Sequence, residues 1–140
     1  MAARIALLLA IVYTIVLTLA SLIQLGDLSV GAFSPTDKML HLGANFVLAL
    51  VWMLFYLLKM EQKQNYISAF IVISVLVIFF GMLIEVLQGA LTTYRQADWA
   101  DVLANSIGVL MALLLSIFFQ KFLIKLKHKF NLFLSKKFLH

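Results

Sequence analysis

Nine residues in this 140-residue chain have the types and spacing to do chemistry: Asp37, Lys38, His41, Glu85, Gln88, Arg95, Asp98, Asp101 and Asn105. They fall in three short groups, each beside an end of a long apolar stretch. On a helix Asp37, His41 and Asn45 stand at i, i+4 and i+8, an arc about 80° wide and about 12 Å long. Glu85 and Gln88 are i, i+3 neighbours, with Ser74 and Gly81 continuing their stripe. Asp98, Asp101 and Asn105 share a face that continues as Gly108 and Ala112, small residues that let helices approach closely. Titratable groups beside hydrocarbon are costly and usually mark a function. The grouping predicts one polar pocket between helices.

Within that pocket His41 has the chemistry of a general base, with Asp37 one turn away to orient it and Glu85 or Asp101 as the acid. The planar fork of Arg95 suits a carboxylate or a phosphate. Lys38, Gln88, Asp98 and Asn105 would complete a substrate-binding set. His41, Glu85 and Asp101 also form a mixed nitrogen and oxygen donor set, but Lys38 and Arg95 would repel a cation and no H-E-x-x-H spacing occurs. No metal and no other cofactor is expected. There is no G-x-S-x-G, Gly-rich phosphate loop or C-x-x-C,. Structural roles compete with each of these. Asp37, Asp98 and Asp101 can cap or charge helix starts, and His41 and Glu85 can serve as interhelical hydrogen-bonders.

The elements that must hold these residues are membrane helices. Hydrophobic residues make up 64% of the chain and charged ones 12%, with a mean hydropathy of +1.07. A soluble domain of this size cannot hide so much apolar surface. Four stretches of about 20 apolar residues, the length needed to cross a bilayer, lie near 5–25, 38–58, 66–88 and 98–120. The portion from Ile71 to Phe80 is rich in β-branched residues and would suit a strand in water; in lipid only a helix or a closed barrel satisfies its backbone. The expected fold is all-α, a four-helix transmembrane bundle over residues 1–120 with a basic amphipathic C-terminal helix over 121–140. The first stretch is long for a signal peptide and Thr18 fits a cleavage site near Ala20 poorly, so it is expected to be retained. Cysteine is absent, which excludes disulfides and thiolate chemistry.

Lysine and arginine set the orientation. Arg4, Lys59, Lys63, Lys121, Lys125, Lys127, Lys129, Lys136 and Lys137 would lie on one side, and only Lys38 and Arg95 on the other. The positive-inside rule then makes both termini cytoplasmic and turns the three polar groups outward. Basic residues beside spans favour anionic lipid over nucleic acid as the partner.

Asp37-Lys38-x-x-His41, then Glu85-x-x-Gln88, then Arg95 followed by Asp101-x-x-x-Asn105-x-x-Gly108, resembles the VanZ-like family of small bacterial membrane proteins. The resemblance covers about residues 35–115. It departs from the family at Asn45, where an aromatic is frequent, and at Ala112, where a second glycine is. It implies a multi-pass protein of the bacterial cytoplasmic membrane, associated through the family's name with resistance to teicoplanin-type glycopeptides. It supplies no reaction.

Three functions remain open on these grounds. The pocket could bind or modify an anionic envelope lipid, a lipid-linked wall precursor or a glycopeptide. The protein could be a non-catalytic accessory. An ion or proton pathway is weakened by the scarcity of polar residues in the inner halves of the spans. In the tail, Phe119, Phe122, Leu126, Phe130 and Phe133 fall on one stripe with lysines outside it, which predicts a helix lying in the cytoplasmic interface.

Overall fold

Four apolar segments become four long helices in the computed structural model, which describes residues 2–23, 37–60, 65–91 and 98–138, with side chains in the last segment as far as residue 129. They are α1 (Ala2–Leu22), α2 (Asp37–Lys59), α3 (Tyr66–Leu91) and α4 (Trp99–Phe138). All four are long and apolar enough to cross a membrane. The β-branched run of α3 is helical throughout, because a lone strand would leave its backbone groups unpaired in hydrocarbon.

The helices alternate in direction. At one end of the bundle Lys38 of α2 meets Asp98 and Asp101 at the start of α4, and Gln88 near the end of α3 reaches Ser21 in the last turn of α1. At the opposite end Lys127 of α4 donates to the carbonyl oxygens of Leu57 and Met60, where α2 finishes. That ammonium satisfies carbonyls which have no partner within the helix. Sequence reasoning assigned Lys127 only to a basic tail.

The interface between α2 and α4 is the most extensive, and small residues explain it. A Cβ built on Gly108 would overlap the Leu42 carbonyl oxygen and stand 3.1 Å from the Phe46 nitrogen. Ala49 and Ala112 are fully buried beside Leu48, Met53, Leu57, Phe70, Val77 and Val109. In the membrane such packing works through close contact, since lipid tails are as apolar as leucine. The first helix packs on α2 and, less extensively, on α3, and makes no such contact with α4 among the described residues. It docks through buried Ala6 and Ala10 and through two polar ties: Tyr13 Oη donates to the Ala44 carbonyl at 3.1 Å, and Trp52 Nε1 donates to Thr14 Oγ1 at 3.2 Å.

The fourth helix does not stop near residue 120. It runs unbroken for 40 residues, because no glycine or proline interrupts the Leu-, Phe- and Lys-rich segment,. Phe119, Phe122 and Leu126 are exposed, as their stripe predicts; the side chains of Phe130 and Phe133 lie outside the described residues.

Candidate functional site

Asp98 begins α4 as its cap: the Asp98 carboxylate accepts the Ala100 N–H at 2.9 Å, and its carbonyl accepts from Asp101 and Val102,. The same carboxylate takes the Lys38 ammonium at 2.9 Å. Those two contacts, the Lys38 hydrogen bond first and the Ala100 one second, hold the Asp98 carboxyl below the ordinary aspartate range. Lys38 also reaches Asp101 Oδ1 at 3.2 Å. Its charge is therefore shared between two aspartates of the neighbouring helix.

One turn further along α2 lies His41, which is buried. Its Nδ1 stands 3.2 Å from Glu85 Oε1, on α3. Its Nε2 stands 3.8 Å from Asp37 Oδ1 and 3.8 Å from Asp101 Oδ2. The imidazole thus has a carboxylate behind one nitrogen and two before the other. Glu85 is 2% exposed and Asp101 7%, whereas the Asp37 side chain is about half exposed at 49%. The cluster runs from a closed interior at Glu85 to an open rim at Asp37, Lys38 and Asp98.

Below it, Asn45 Nδ2 donates to Asn105 Oδ1 at 2.6 Å and to the His41 carbonyl at 3.2 Å. Both amides are buried, and Gly81 of α3 makes room for them. A Cβ there would stand 3.2 Å from Asn105 Nδ2 and 3.4 Å from Asn45 Oδ1. Asn45 Oδ1 is buried and accepts no hydrogen bond. The pair forms a polar floor, beneath which the α2, α3 and α4 faces close into the apolar core.

Of the residues singled out from the sequence, the structure brings Asp37, Lys38, His41, Glu85, Asp98 and Asp101 into one connected cluster, with Asn105 beneath. Gln88 is buried on the same α3 face but donates to the Ser21 carbonyl at 2.7 Å, which ties α3 to α1. Nothing in sequence spacing pointed to Ser21. Arg95 lies outside the described residues, as does the Ser34-Pro35-Thr36 turn. Asp37, His41 and Asp101 place one potential ligand atom each within 4.8 Å of one another. This differs from the sequence-derived donor set, since Glu85 faces the opposite ring nitrogen.

Compared with known proteins, the chain matches no family model, no curated protein and no solved structure. What can be said of its function rests on the cluster itself and on the membrane-spanning fold.

Proposed function

We propose that this chain is a VanZ-like protein of the bacterial cytoplasmic membrane, with both termini cytoplasmic and the His41 cluster facing outward. There it binds or modifies the anionic headgroup of an envelope lipid or lipid-linked wall precursor. The observation that carries this reading is the setting of His41. With Nδ1 toward buried Glu85, the ring presents Nε2 to the open rim between Asp37 and Asp101. An imidazole oriented through one nitrogen and open at the other is suited to accept and return a proton on a bound group. Lys38 supplies positive charge at the rim, and the guanidinium of Arg95, by its residue type, would suit a carboxylate or phosphate bidentately. A cluster at the ends of spans meets headgroups first, which supports a lipid source for the ligand.

The test couples function to folded protein. His41→Ala should abolish any glycopeptide phenotype at a normal level of membrane-inserted protein, because one imidazole adds little to packing four helices. Arg95→Lys should weaken the phenotype although it keeps the charge. If both variants lose function only in step with lost protein, the cluster is structural glue and the reading fails.

A further inference from the structure

Midway along the bundle α1, α2 and α3 part and leave a cavity of about 270 Å³. Its inner wall is formed by Leu48 and Val77, both buried, and its mouth lies at Leu76, which is 63% exposed. Leu48 is the central residue of α2, Val77 and Phe80 bracket the centre of α3, and Thr14 lies near the centre of α1. The groove therefore sits at mid-depth in the membrane and opens sideways into hydrocarbon. Helix packing accounts for it. The first helix packs extensively on α2 and only slightly on α3, while the bond from Gln88 to the Ser21 carbonyl pins α1 to α3 at the outer end.

The lining defines what the groove can hold. Its two polar groups are already satisfied: Thr14 Oγ1 donates to the Ala10 carbonyl at 2.7 Å and accepts from Trp52 Nε1 at 3.2 Å. The rest of the wall, Ile73 included, is aliphatic or phenyl. A polar ligand would be stripped of water there with nothing to bond, which is costly. A hydrocarbon chain meets no such penalty.

Two helix faces run from the polar cluster down to this groove. On α2, His41, Asn45, Leu48 and Trp52 stand at i, i+4, i+7 and i+11, one stripe of a helix. On α3, Glu85, Gly81, Val77 and Ile73 descend four residues at a time. Length selects the kind of chain. From Lys38 at the rim to Leu48 the rise is about 15 Å, half of a hydrocarbon core about 30 Å thick. An acyl chain whose headgroup lies at Lys38 ends in the groove. A polyprenyl tail, far longer than one leaflet is thick, does not match that span.

We infer that this groove is the chain subsite for an anionic diacyl phospholipid of the outer leaflet, with one acyl chain seated between α1, α2 and α3. The inference rests on the reading of the His41 cluster as a headgroup site and narrows that reading to a phospholipid. It draws nothing from His41 Nε2, which stays open toward the headgroup.

Trp52, in the groove wall, is a built-in reporter. The chain's other tryptophan, Trp99, is 82% exposed at the start of α4, so Trp99→Phe leaves Trp52 as the sole indole. The experiment places this full-length variant in phosphatidylcholine vesicles. A minor fraction of the lipid is phosphatidylglycerol brominated near its chain ends, or phosphatidylcholine brominated in the same way. Bromine quenches indole fluorescence on contact. The anionic lipid should be favoured by about fivefold, the scale of one lysine at an anionic headgroup. Leu76→Phe with Ile73→Phe, which fills the mouth, should abolish that preference, and so should Lys38→Gln at the rim; each variant is checked for folding by its melting curve.

Equal quenching by the two lipids overturns the inference. So does a preference that survives in the folded, mouth-filled variant. Unlabelled polyprenyl phosphate that restores fluorescence at a fraction where unlabelled phosphatidylglycerol does not would give the groove to a polyprenyl tail, and overturns it as well. The two readings fail separately. Equal quenching, alongside loss of phenotype in His41→Ala at normal protein level, removes the groove and leaves the headgroup site. A preference abolished by the mouth-filling pair but kept in both Lys38→Gln and His41→Ala keeps the groove as a phospholipid site and removes the cluster as its headgroup site.

Discussion

The amides of Asn45 and Asn105 show how much one polar contact can specify inside an apolar bundle. They meet at 2.6 Å between buried faces of α2 and α4, and each is costly to bury alone. Asn45→Leu or Asn105→Leu should therefore lower stability by about 1–2 kcal/mol, since either leaves a desolvated amide. The double substitution should cost clearly less than the sum, a coupling that a thermal-melt cycle in detergent would reveal. Strictly additive losses would mean the pair is not a unit. Asp98 offers a second test at this scale. The Lys38 and Ala100 contacts hold its carboxyl below the ordinary aspartate range in the folded protein. Its contribution is therefore present above the ordinary aspartate value and is lost as pH falls through the lowered folded value. The stability difference between wild type and Asp98→Asn should persist at neutral pH and close under strong acid. It will be small, because the pair is exposed,.

At the scale of elements, helix spacing made the polar faces legible before any coordinates. His41 and Asn45 on α2, Glu85 on α3, and Asp101 and Asn105 on α4 do share one end and one interior. Which partners they take was not legible, because register between helices depends on how closely two backbones approach. That Lys38 is shared by Asp98 and Asp101, and that Asn45 meets Asn105, follows from the closeness of α2 and α4 at Gly108. The continuity of α4 was not legible for a related reason: spacing shows that the basic segment is helical but not whether the chain bends after the span, and no glycine or proline there interrupts it. Two glycines on facing helices test the packing argument. Gly108→Val places a side chain into the Leu42 carbonyl and should destabilise by about 1–3 kcal/mol or more, the range of overpacking. Gly43→Ala meets nothing within 4 Å and should be neutral or stabilising by up to about 1 kcal/mol through helix propensity. Melting temperatures of the two variants in the same detergent compare them directly; equal shifts would refute the close approach of α2 and α4.

For the molecule as a whole, the polar cluster and the basic segments occupy opposite ends of one bundle. Lys38, His41, Glu85 and Asp101 gather where α2 and α4 begin, and Lys127 lies where α2 ends. Beneath the Asn45–Asn105 floor the core is built of Leu48, Met53, Leu57, Phe70, Val77 and Val109, and its polar groups are few among the described residues, such as Ser74 bonded back to its own helix at 2.9 Å and the Trp52–Thr14 tie to α1. That polarity gradient suits a one-sided site better than a path across the membrane. It also ties the proposed function to a single fact about insertion, namely which end faces outward. The lysine and arginine asymmetry predicts that the cluster end does. The chain has no cysteine, so single reporters can be placed without a background. Ser29→Cys, in the segment joining α1 to α2, should react with a membrane-impermeant thiol reagent applied to intact cells. Gln64→Cys, between α2 and α3, should react only after the membrane is opened. The reverse pattern would turn His41 and its carboxylates toward the cytoplasm, where no wall precursor presents its outer-leaflet headgroup, and the proposed function would fall even though every contact in the cluster remained.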